Sequence, residues 1–139
     1  MKDKLENIYF YYLDGNEYGL NILFEFEDNY LLFDSSSFLL LDKIDMLLFN
    51  WKKIDYEEIG NGVNITEIRE DENVSYFVKI SNGDIFYIYQ KVYDLSNWEQ
   101  DFEIIRKNSL KYSEIIEYMN EDWVETVNPS PPDYYDLTK

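Results

Sequence analysis

Apolar and polar residues alternate with a period of two along much of the chain before Tyr93. That period marks strands, because successive strand side chains point to opposite faces. Ile8 to Leu13 is an aromatic run of strand formers, Asp14-Gly15-Asn16 supplies turn residues, and Tyr18 to Phe26 alternates well enough to return antiparallel. Glu27-Asp28-Asn29 turns the chain into Tyr30 to Phe33. Asp34-Ser35-Ser36-Ser37 then ends that strand with side chains that compete for backbone hydrogen bonds. In Phe38 to Asn50, the residues Leu39, Leu40, Leu41, Ile44, Leu47 and Leu48 fit a buried helix or a buried strand equally. After a mixed stretch, Gly60-Asn61-Gly62 breaks the pattern ahead of a short strand, Val63 to Ile68. Val74 to Ile80 and Ile85 to Tyr93 flank Ser81-Asn82-Gly83-Asp84, a hairpin in which Asn82-Gly83 supplies the positive φ angles of a type I′ turn.

Beyond the hairpin the spacing lengthens and predicts two helices. Ser96 caps a segment through Lys107 whose apolar residues Trp98, Phe102 and Ile105 fall four and three apart, with acids early and Arg106-Lys107 late, as the helix dipole favours. Ser109 or Ser113 opens the second, in which Tyr112, Ile116, Met119, Trp123 and Val127 form one apolar stripe. Pro129-Ser130-Pro131-Pro132 stops any helix. Strands followed by helices predict an α+β fold: an antiparallel sheet of meanders and hairpins with the C-terminal helices packed on one face. Residues 1–128 are expected to form one acidic domain, and residues 129–139 a Pro-rich flexible tail.

Charge changes the picture most. The 139 residues carry 29 Asp plus Glu against 12 Lys plus Arg, a formal net charge of −17. The excess is spread over the whole chain. Like charge at this density works against the compact state through self-repulsion and draws basic surfaces, so it points to a positively charged partner. With 19% aromatic residues the chain is nonetheless far from the composition of a disordered acidic segment. His and Cys are absent. That excludes an imidazole base, a thiol nucleophile, thiolate zinc and disulfides, so no enzyme, cofactor or metal is expected. The first residues lack the apolar core of a signal peptide, and Asp34, Asp42 and Asp45 interrupt the most apolar third, so a cytoplasmic protein without membrane contact is expected.

The candidate interface lies near the C-terminus. Glu114, Glu117, Glu121 and Glu125 are spaced three, four and four, which on one helix stacks four carboxylates at a cost of a few tenths of a kcal/mol per like pair. Such a ridge suits a basic groove on a toxin domain or a nucleic-acid-binding protein, although a solvated helix face explains the same residues. Tyr87 and Tyr89, in an aromatic strand, add interface material that is apolar along its body and polar at its tip. Direct nucleic-acid binding needs a positive field around the rings, and the field here has the opposite sign. The cluster Glu67, Glu70, Asp71 and Glu72 lacks the ligand spacing of a calcium loop and reads as a solvated turn. Carboxylate pairs of the glycosidase kind arise by chance among so many acids. Pro131-Pro132-Asp133-Tyr134 matches a short WW-domain ligand pattern.

An aromatic α+β chain with the Asn82-Gly83 hairpin, the Glu114/Glu117/Glu121/Glu125 ridge, and neither His nor Cys resembles the small immunity proteins of bacterial toxin systems. The resemblance implies a cytoplasmic inhibitor that neutralises a basic, often nuclease-type, toxin by covering its active or substrate-binding surface. The alternative is a phage or plasmid DNA-mimic inhibitor of host defence; a carboxylate-only enzyme or calcium module carries less weight. Repulsion among the acids sets a first expectation: the melting temperature rises from low to moderate ionic strength as salt screens them. Differential scanning calorimetry across a salt series checks this, and a flat or falling curve refutes it.

Overall fold

The structure, a computed structural model, describes residues 4–12, 19–42, 51–72, 74–94 and 97–130. Asp14-Gly15-Asn16, Ile44 to Asn50, Ser96 and the WW-ligand pattern lie outside the described residues. The described residues gather into two compact units, one built from those up to Gly62 together with those from Pro129, the other from Val63–Asn128.

The first unit is a five-stranded antiparallel sheet. β1 (Asn7–Tyr12), β2 (Leu20–Glu25), β3 (Asn29–Asp34) and β4 (Phe38–Asp42) follow one another as a meander, and β5 (Lys52–Lys53) closes the far edge, in the order β4-β3-β2-β1-β5. Leu20 to Phe24 and Tyr30 to Phe33 are buried on both faces, which is why these central strands read as near-continuous apolar runs. Leu23, Tyr30, Leu32 and Leu41 pack together on one face, with Tyr9, Leu39 and Trp51 against them. The ambiguous stretch is a strand where it is described: β4 pairs with β3 from Asn29↔Asp42 to Phe33↔Phe38. Asp34 makes the turn between them, its Oδ1 accepting from the amides of Ser36 and Ser37 at 3.3 and 2.9 Å. The segment at Pro129 does more than the proline pattern implies. Ser130 bridges in parallel to Leu39, its amide donating to Phe38 O at 3.0 Å and its carbonyl accepting from Leu40 N at 3.0 Å.

The second unit is another five-stranded antiparallel sheet. It comprises β6 (Ile65–Glu70), β7 (Tyr76–Ile80), β8 (Ile85–Asp94), β9 (Asn97–Ile105) and β10 (Glu125–Thr126), in the order β10-β6-β7-β8-β9. The fold is therefore mostly antiparallel sheet. Among the described residues a single helix, α1 (Leu110–Met119), takes the place of the two that the spacing predicts.

The predicted helix through Lys107 is strand β9, paired with β8 from Ile85↔Ile105 to Asp94↔Asn97. The spacing of Trp98, Phe102 and Ile105 fits the helical period, but in the strand Phe102 and Ile105 fall on opposite faces, and the alternation Asp101-Phe102-Glu103-Ile104 carries the strand period. Phe102 and Ile104 stand opposite Ile88 and Phe86, the Phe86 and Phe102 rings stack at 5.2 Å, and Glu99 faces Lys91. Cross-strand pairing of this kind outweighs the weak helix propensity of a mixed sequence. The turn from β7 to β8 also departs from type I′. Gly83 alone takes a positive φ, +102°, while Asn82 stays negative; Gly83 N donates to Ile80 O at 2.9 Å and Ile80 N to Asp84 O at 2.9 Å. This is the longer hairpin loop closed by a left-handed glycine.

α1 begins as expected. The Ser109 Oγ accepts from Tyr112 N at 3.2 Å, capping the first turn. It ends early, at Asn120, because Asn120 and Asp122 are poor helix formers and the buried Val124 turns the chain back to the sheet. Glu125 and Thr126 then pair with Glu70 and Arg69, and the Arg69 Nη2 donates to Val124 O at 2.7 Å. Met119 and Val124 join Phe77, Ile85 and Ile105 in the core under α1, with Tyr112 and Ile116 against them. Trp123, expected in the apolar stripe, is 42% exposed.

Asp84 joins these parts. Its carboxylate accepts from Lys107 N at 2.9 Å, Arg106 Nη1 at 3.1 Å and Asn82 Nδ2 at 3.2 Å, and only 8% of its side chain is exposed. Arg106 is open to solvent, so the ion pair adds little; the bond to the Lys107 amide dominates. Asp84→Ala is expected to lower stability by about 2 kcal/mol, since it orphans that amide. Urea denaturation checks the loss, and Asp84→Asn, which keeps one acceptor, should lose less.

Candidate functional site

The predicted ridge is divided among three kinds of structure. Glu114 and Glu117 stand on α1, Glu121 lies in the turn after it with its amide donating to Tyr118 O at 3.0 Å, and Glu125 lies on β10 opposite Glu70. The helix stops at Met119, so the four carboxylates do not stack along one face. All four are exposed, as is Asp122 between them. No Lys or Arg occurs between Lys111 and Lys139.

Tyr87 and Tyr89 share the face of β8 that α1 covers in part. Tyr87 stacks on Phe77 at 5.0 Å with an interplanar angle of 3°, and its ring lies 5.3 Å from Tyr89. Phe77 meets Tyr118 edge-on at 5.9 Å, and Tyr118 meets Trp123 at 6.2 Å, with the Trp123 Nε1 donating to the Tyr118 hydroxyl at 3.3 Å. An aromatic row thus runs from Tyr89 through the core to the exposed Trp123. Burial, more than any neighbour, pushes the Tyr87 phenol above its ordinary value, while a hydrogen bond to the Ser75 side chain works against that rise. The Tyr89 phenol is also raised, by burial and then by Asp101.

Beside this row lies an open groove of about 770 Å³, lined by Asp71, Val74, Ser75, Tyr87, Gln90, Glu114, Ile115 and Tyr118. The turn joining β6 to β7 forms one wall. There the Asp71 amide donates to Ser75 O at 3.0 Å, the Asp71 Oδ1 accepts from Ser75 N at 3.0 Å, and Val74 holds φ +57°, a left-handed conformation that β-branched residues rarely adopt. The opposite wall is α1. Lys111, the sole base of α1, donates to Glu103 of β9, and that bond holds its ammonium above the ordinary range. The groove is acidic and aromatic, with no cation in its lining.

The acidic cluster read as a solvated turn resolves into separate roles. Asp71 is buried in the turn, and Glu67 pairs with Arg69 at 3.5 Å and Lys79 at 3.9 Å. Among the described residues no group of three or more His, Cys, Asp or Glu could hold a metal ion, and no helix is long and apolar enough to cross a membrane. The groove residues Ser75, Gln90, Ile115 and Tyr118 escape a sequence reading, since no local pattern joins positions so far apart. Comparison with protein-family models, curated proteins and solved structures finds no match.

The raised tyrosines have a consequence at high pH. The unfolded chain ionises its phenols near pH 10, before the folded chain releases the Tyr87 and Tyr89 protons, so the folded state binds more protons across that interval. Stability is expected to fall as pH rises above about 10 and through the folded values. Denaturation midpoints across the alkaline range check the decline, and Tyr87→Phe should make it shallower.

Proposed function

We propose that this chain is a non-catalytic acidic binding protein that neutralises a basic protein partner, as an immunity protein does against a nuclease-type toxin. The observation that carries this reading is the exposed run of Glu114, Glu117, Glu121, Asp122 and Glu125, with the exposed Trp123 among them and no base in the sequence from Tyr112 to Thr138. Glu125 faces Glu70 across a strand pair, where like charges destabilise. A fold that carries this repulsion gains from a partner that relieves it. Trp123 supplies the large, rigid apolar surface typical of interface anchors. The DNA-mimic alternative calls for a longer regular row of carboxylates, and α1 ends after two of them.

The test is association with a basic nuclease domain encoded beside this chain's gene, followed by stopped-flow kinetics at several salt concentrations. Association should slow as salt rises. Glu117→Lys with Glu121→Lys should leave the circular dichroism spectrum unchanged, slow association by about tenfold and flatten the salt dependence, because exposed charges act mainly on the on-rate. Association that is indifferent to both salt and charge reversal overturns the proposal.

A further inference from the structure

We infer that the groove walled by Asp71, Val74 and Ser75, by β8 and by α1 is a receptor for a guanidinium group, the side chain of an arginine presented by the partner. The inference rests on the basic-partner reading for the source of that arginine. It goes further in assigning one place and one chemical group to a contact that net charge leaves spread over the whole surface.

Three properties of the groove select a planar cation. Its charge is the first: Asp71 and Glu114 stand on opposite walls, no Lys or Arg lines it, and the ammonium of Lys111 is bonded to Glu103. Its aromatic content is the second. Tyr87 and Tyr118 both line it, and a guanidinium stacks on such rings while a compact, strongly hydrated ammonium does so less well. The third is its complement of side-chain oxygens. The Glu114 carboxylate and the Ser75 hydroxyl offer acceptors to a five-donor fork. At about 770 Å³ the groove lies within the usual range of ligand sites, roughly 300 to 1,000 Å³, and admits a whole side chain with its flanking backbone.

The walls are set before any ligand arrives. Asp71 is 5% exposed and Ser75 4%, and two hydrogen bonds, from the Asp71 amide to Ser75 O and from the Ser75 amide to the Asp71 Oδ1, hold these two residues together. Tyr87 is held flat against Phe77, and Tyr118 is held by Trp123 through its hydroxyl. Little ordering is left to oppose binding, which is the advantage of a preorganised site.

Titration of the intact protein with L-arginine amide, followed by nuclear magnetic resonance, tests the assignment. Arginine amide is expected to shift the ring signals of Tyr87 and Tyr118 and the amides of Ser75 and Gln90, saturating in roughly the millimolar range expected of a single small contact. L-citrulline amide, isosteric but with an uncharged side chain, should shift them far less, and L-lysine amide should bind more weakly than arginine amide. Glu114→Gln is expected to weaken the arginine response by about threefold to tenfold, the effect of one partly exposed charge-assisted contact. Glu121→Gln, on the same acidic surface but outside the groove, should leave the response unchanged. Equal binding of arginine and lysine amides overturns the guanidinium assignment. Shifts as large around Glu117, Glu121 and Glu125 as in the groove, or an equal loss from Glu121→Gln, overturn the groove while leaving general capture of basic partners standing. An arginine-rich peptide that fails to bind even at low ionic strength overturns the basic-partner reading itself.

Discussion

The Asp84 carboxylate sits where three parts of the second sheet meet, and its hydrogen bonds decide where the sheet ends and the helix begins. By accepting from the Lys107 amide and the Arg106 guanidinium, it fixes the residues that follow β9 against the β7–β8 turn. The aliphatic stem of Lys107 lies over Gly83, where a Cβ would come within 2.6 Å of the Lys107 Cδ, and Gly83 also needs its left-handed φ. With Arg106 fixed, its carbonyl accepts from both the amide and the hydroxyl of Ser109, and Ser109 caps α1. The direction of the helix therefore follows from a turn carboxylate far from it in sequence. Glu114, Ile115 and Tyr118 reach the groove only because α1 starts there.

The end of α1 matters as much as its start. A helix continued to Val127 would carry Val124 away from Phe77 and Ile85. By stopping at Met119 the chain buries Val124 in that core, adds β10 to the edge of β6, and turns Trp123 outward onto Tyr118. Burying one valine is worth about 1.5 kcal/mol or more, whereas one further exposed turn built from Asn120, Glu121 and Asp122 adds almost nothing. Tertiary packing thus outweighs the apolar stripe that the sequence offers.

Legibility follows how local each cause is. The β7–β8 hairpin is readable because Asn82, Gly83 and Asp84 are adjacent residues with strong turn preferences, and the meander of β1 to β3 is readable for the same reason. The N-cap at Ser109 is readable because capping involves a single turn. Strand β9 is not. Its residues Glu99 to Ile105 satisfy a helical and a strand period together, and the choice is made by the facing residues of β8. The candidate site was half legible: Tyr87 and the acids Glu114 to Glu125 announce themselves by type, and Asp71 stood in a visible acidic cluster. Gln90, Ile115 and Tyr118 join them only through the crossing of α1 over β8, which no window of sequence contains.

The acids divide by what their side chains do, and the division bears on function. Asp34, Asp71 and Asp84 accept backbone amides at turns, and Glu67 and Glu103 pair with Arg69, Lys79 and Lys111. These carboxylates have structural reasons for being where they are. Glu114, Glu117, Glu121, Asp122 and Glu125 take neither role among the described residues, and they follow one another within the base-free stretch from Tyr112 to Thr138. Had acidity served solubility alone, interspersed lysines would have lowered the repulsion and kept the solubility, as mixed surfaces do. The chain instead ends its aromatic row at Trp123 in the middle of these charges, joining a desolvating anchor to an unrelieved field. In the binding role we propose, that union would attract at long range through charge and hold at short range through its rings.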